Sequence, residues 1–123
     1  MITTRMWPTG RWAVVAAALY YLALILISSV PGPELPKVET PGLDKLIHLI
    51  FYAGLGWLLA GSGWSLPTVL LVGALAGAAD EGFQLMVPGR DASLLDWIAD
   101  GVGVMMGAWA RQRWVPVGMI HER

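Results

Sequence analysis

Four long apolar segments follow one another along this chain, separated by short polar breaks. Residues Trp12 to Val30, WAVVAAALYYLALILISSV, carry no charge and end at Pro31. A helix rises about 1.5 Å per residue, so about 20 such residues cross a hydrocarbon layer. Proline, with no N–H to donate, then stops the helix. The second segment reads DKLIHLIFYAGLGWLLAG, the third LPTVLLVGALAGAADEGFQLMV and the fourth SLLDWIADGVGVMMGAWA. The pattern predicts transmembrane helices over about 12–30, 44–61, 66–87 and 93–110. Arg5 and Arg11 precede the first segment as in a signal peptide, but no A-x-A site follows, so an uncleaved anchor is expected.

The breaks set the topology. From Pro31 to Pro41 the chain PGPELPKVETP holds four prolines, which predicts a stiff polar surface loop. Only GSGWS separates the second and third segments, and VPGRDA separates the third and fourth. Short turns make antiparallel neighbours. The expected fold is all-α, an integral membrane four-helix bundle forming a single domain over residues 1–123.

Composition agrees with a membrane setting. Apolar residues make up 56% of the chain and charged residues 14%, against about 45–50% and about 25% in soluble domains. Eight Lys plus Arg against nine Asp plus Glu leave a net charge of −1, so the basic surplus of nucleic-acid proteins is missing. Absence of cysteine excludes disulfides, thiolate catalysis and cysteine-type zinc sites. Arg5, Arg11, Arg111, Arg113 and Arg123 lie toward the termini, whereas Lys37, Lys45 and Arg90 lie in or beside the first and third breaks. Both termini are therefore expected to be cytoplasmic, in a multi-pass protein of the cytoplasmic membrane. Trp12, Trp57, Trp64, Trp109 and Trp114 would then gather at the cytoplasmic interface, with Trp97 at the other.

Ionisable groups inside a span cost about 2.5–3.5 kcal/mol near its middle, so their arrangement carries information. Asp44 and His48, Asp80 and Gln84, and Asp96 and Asp100 are each four apart, one helix face per pair, and all fall toward the outer side. Asp80 and Asp100 lie about 10 Å inside their helix ends. Asp80 and Gln84 continue a stripe from Gly73 and Gly77, while Asp96 and Asp100 continue into Gly103 and Gly107. Such GxxxG stripes let backbones approach. The inner halves of the third and fourth helices are expected to pack backbone to backbone, opening an outward-facing acidic pocket on the other side. Asp44, Asp80, Glu81, Asp91, Asp96 and Asp100 against Lys45 and Arg90 predict a pocket that holds protons or a cation.

Simpler readings stand beside this one. Ser93 and Asp96 match an S-x-x-D capping box, and Asp44 has the setting of an N-cap. Asp80, Glu81 and Asp100 can serve as interhelical glue, with Arg90 folded over them as counter-ion. The glycine stripes suit a homo-oligomer as well as internal contacts. Ser28 and Ser29 can bond their own backbone or line the pocket.

SSVP after the first segment, DKLIHLIFYAGLG in the second and ADEGFQLMVPGRDASLLDWIADGVGVMMG across the last two resemble the VanZ-like membrane proteins. The resemblance covers nearly the whole chain. It maps the family's pattern onto Asp44, Lys45, His48, Asp80, Glu81, Gln84, Pro88, Gly89, Arg90, Ser93, Asp96 and Asp100, the last a departure from the commoner Asn. It implies a cell-envelope role and, from the founding member, low-level resistance to the glycopeptide teicoplanin.

The leading expectation is a pocket for a membrane lipid or lipid-linked cell-wall precursor. An intramembrane enzyme is the alternative, with a divalent metal on Asp80, Glu81, Asp96 and Asp100 and proton transfer by His48, although no H-E-x-x-H or G-x-S-x-G occurs. No other cofactor is evident. Transport is a third class, opposed by the lack of a carboxylate in the first segment.

Overall fold

The computed structural model describes residues 7–31 and 42–115. Four helices fill them: α1 (Gly10–Ser28), α2 (Leu43–Ala60), α3 (Leu66–Gln84) and α4 (Leu94–Trp114), with no strand among the described residues. The proline-rich break beyond Pro31, together with Lys37, Arg5 and Arg123, lies outside the described residues. Helices α1, α2 and α3 are long and apolar enough to cross a membrane. Helix α4 holds Asp96, Asp100, Arg111 and Arg113, a heavier charge load.

Local chemistry sets the helix ends. Ser93 caps α4 by accepting a hydrogen bond from the Asp96 amide at 3.3 Å, half of the expected capping box, while its own amide donates to Glu81 instead of Asp96. Ser65 caps α3 in the same way through the Thr68 amide, with Pro67 in the first turn. Asp44 is not an N-cap. Gly42 occupies that position at φ +81°, and Asp44 sits in the first turn with its carboxylate on Lys45. Helix α3 stops at Gln84, short of the expected Val87, and residues 85–87 close as successive turns ahead of Pro88. The residue before a proline disfavours helix, which explains the early stop. Helix α4 runs past Ala110 to Trp114, through arginines that suit a helix interior.

The bundle is inverted relative to a soluble protein. Asp80, Glu81, Gln84, Asp96, Asp100 and Arg111 are buried, while Leu19, Leu26, Leu71, Leu75, Leu95 and Trp109 are exposed. That distribution suits a hydrocarbon solvent, in which apolar side chains need no burial and polar ones must pair internally.

Helix α4 packs closest on α2, which corrects the expected backbone contact between α3 and α4. A methyl built on Gly103 would strike the Leu49 carbonyl oxygen, and one on Gly107 the Ala53 carbonyl oxygen. Gly56 reciprocates against the Val104 backbone. Gly73 and Gly77 do face α4, yet they receive the side chains of Val104 and Asp100. A GxxxG stripe permits close approach without naming its partner, and Ala53 and Gly56 give α2 the matching small surface.

Two arginines fasten α1 at its ends. Arg111 donates to the carbonyls of Trp57 and Pro8 at 3.2 and 2.9 Å. Its guanidinium lies 5.7 Å from the centre of the Trp57 ring, against which Trp7 packs edge-on. Trp57 is thus turned into this clamp. At the other end Arg90 donates to the carbonyls of Ser28 and Val30, where α1 runs out of amide partners.

Candidate functional site

The start of α2, the end of α3 and the start of α4 meet at the end of the bundle where α1 terminates. All ten site candidates lie there, but they divide between two places. His48, Glu81, Ser93, Asp96 and Asp100, with Lys45 at the rim, form a polar cluster between α2, α3 and α4. Asp80, Gln84 and Arg90 border a cavity between α1, α2 and α3, and Asp44 and His48 reach both regions.

Within the cluster, His48 Nδ1 is 2.8 Å from Asp100 Oδ1 and 3.8 Å from Glu81 Oε1. The other ring nitrogen, Nε2, is 3.8 Å from Asp96 Oδ2. Asp96 Oδ1 is paired with Lys45 Nζ at 2.8 Å, and the same ammonium holds Asp44 at 2.7 Å. Glu81 Oε2 accepts the Ser93 amide at 3.1 Å, which ties the end of α3 to the cap of α4. Gly77 makes room for Asp100, since a methyl there would stand 3.2 Å from Asp100 Oδ2. Glu81 Oε1 and Asp100 Oδ2 are buried without a hydrogen-bond partner.

The cavity has a volume of about 300 Å³. Its floor is polar: Asp80 Oδ2 accepts from the Tyr52 hydroxyl at 2.8 Å, while Asp80 Oδ1 and Gln84 Nε2 are buried and unsatisfied. Its walls are apolar, from Leu24 and Ile27 of α1 and Ile47 and Phe51 of α2. Ile27, Ile47 and Phe51 are 49%, 37% and 39% exposed, so the cavity opens sideways between these two helices. Ser28 lines it, whereas Ser29 bonds back to the Leu26 carbonyl. Arg90 borders the mouth but spends its bonds on carbonyls, which corrects its expected role as a carboxylate counter-ion.

Sequence reasoning missed Tyr52 and Arg111. Tyr52 stands one turn beyond His48 on the same helix face, and that i, i+4 relation is the signal available for it. Arg111 reads as an interfacial charge, and no local pattern marks its burial.

The fold and site define a small helical membrane protein with a buried polar cluster beside a lateral cavity. The sequence profile of the VanZ/LLP1 family matches residues 4–114, and the chain belongs to that family. No curated protein and no solved structure matches it.

Proposed function

We propose that this protein crosses the cytoplasmic membrane four times, with both termini cytoplasmic, and binds an envelope lipid or lipid-linked precursor in the cavity between α1, α2 and α3. The observation that carries this reading is the cavity's two-part chemistry. Apolar walls open toward the side of the bundle, and a polar floor at Asp80, Gln84 and Tyr52 offers unsatisfied donor and acceptor atoms. A lipid matches this order, since its chain enters from hydrocarbon while its headgroup replaces water on buried polar groups. The fourth crossing is supported by α4 itself, whose charges Asp96, Asp100 and Arg111 are buried while Leu94, Leu95, Ile98 and Trp109 face outward. Occupancy of the outer leaflet would alter the surface on which acylated glycopeptides act, and low-level teicoplanin resistance would follow.

Photo-crosslinking tests the reading. Vesicles carrying a diazirine phospholipid should label Leu24, Tyr52 or Gln84, which are buried and line the cavity. Label confined to outward residues such as Leu22, Leu71 and Leu75 would overturn it.

A further inference from the structure

We propose that His48, Glu81 and Asp100 form a three-ligand site for a divalent first-row cation of the zinc or manganese class. One helix supplies each ligand, and their donor atoms lie within 4.8 Å of one another. Metal–ligand bonds of about 2.0–2.2 Å at tetrahedral or octahedral angles set neighbouring donor atoms about 2.8–3.6 Å apart. The separations from His48 Nδ1, 2.8 Å to Asp100 and 3.8 Å to Glu81, bracket that range. The full set lies within 4.8 Å, so ion binding would draw the donors closer together.

One observation separates this cluster from interhelical glue. The Asp100 and Glu81 side chains are 0% and 9% exposed, yet Asp100 Oδ2 and Glu81 Oε1 have no hydrogen-bond donor. Glue would satisfy them, because a carboxylate oxygen buried without a partner is strongly unfavourable. A cation supplies the missing charge. Around the ring, Nδ1 faces the carboxylates, Nε2 lies 3.8 Å from Asp96 Oδ2, beyond hydrogen-bond reach, and Lys45 holds Asp96 from the rim. The 2.8 Å contact between Nδ1 and Asp100 Oδ1 carries a proton, and ligation by Nδ1 would release it. Glu81 is oriented through its other oxygen by the Ser93 amide. One imidazole with two carboxylates favours zinc or manganese over calcium or magnesium, which prefer oxygen alone.

The test uses the purified full-length chain in detergent, stripped with a chelator and titrated calorimetrically with ZnCl₂, MnCl₂ and MgCl₂. One zinc or manganese ion per chain is expected, with magnesium at least ten-fold weaker. Glu81→Gln and Asp100→Asn should each weaken binding ten-fold or more, while Asp91→Asn, an exposed loop acid, should bind as the parent does. Should those variants fail to fold, X-ray absorption of the zinc-loaded His121→Ala chain decides, since His48 is then its remaining histidine. An imidazole shell supports the site. No uptake by the parent, equal affinity in folded Glu81→Gln, or a zinc shell without imidazole would overturn it. Metal salts alone are the probe, so either result is separable from lipid binding.

Discussion

His48 Nδ1 and Asp100 Oδ1 meet at 2.8 Å although 52 positions separate them in the chain. This contact ties the start of α2 to the second turn of α4 and depends on close packing just below it. Gly103 and Gly107 let α4 lie on the α2 backbone, so the site's geometry rests on glycines that take no part in its chemistry.

Replacing those glycines should therefore loosen the bundle. Gly107→Ala places a methyl on the Ala53 carbonyl oxygen, and Gly103→Ala places one on that of Leu49. Each should cost about 1–3 kcal/mol, as overpacking does, read by unfolding in mixed micelles. Gly82→Ala and Gly101→Ala meet open space and should be neutral or mildly stabilising.

Tyr52→Phe removes the hydroxyl that donates to Asp80 Oδ2 and leaves that buried oxygen unsatisfied. A loss of about 1–3 kcal/mol is expected. In a double-mutant cycle, Tyr52→Phe should cost much less when Asp80→Ala is already present. Additive effects would mean that the bond contributes nothing.

Arg111→Met should free the segment before α1. Losing the bonds to Pro8 and Trp57 unseats that segment, and the bond from the Gly10 amide to the Gly61 carbonyl, 2.9 Å long, should open more often. Hydrogen exchange at Gly10 is expected to accelerate by about ten-fold, equivalent to about 1.4 kcal/mol. Exchange at Val104, in the core, should be unchanged.

Four helices were legible in the chain because each apolar run is long and bounded by proline, glycine or serine. The gathering of polar residues at one end of the bundle was legible too, since Asp44/His48, Asp80/Gln84 and Asp96/Asp100 repeat one i, i+4 spacing. What escaped was pairing. Gly103 and Gly107 announce a close contact but not whether α2 or α3 receives it, and that depends on small residues at Ala53 and Gly56 of α2. The division between cluster and cavity escaped for a related reason. Asp80 and Glu81 are adjacent in sequence, yet one step along a helix turns a side chain by about 100°, sending Asp80 to Tyr52 and Glu81 toward His48.

The absence of cysteine makes the orientation directly measurable. Trp64→Cys sits in the turn between α2 and α3, and Asp91→Cys in that between α3 and α4. With four crossings and cytoplasmic termini, a membrane-impermeant maleimide should label Asp91→Cys in intact cells and Trp64→Cys only after lysis. The reverse pattern would invert the topology, and equal labelling would remove a crossing.

Native mass spectrometry of the protein released from membranes tests lipid binding most directly. The parent should carry a phospholipid or lipid-phosphate adduct. Ile27→Trp, which fills the cavity mouth, should lose it, while Leu71→Trp, outside the cavity, should keep it. A ligand-free parent, or an adduct equally retained in both variants, would contradict the account.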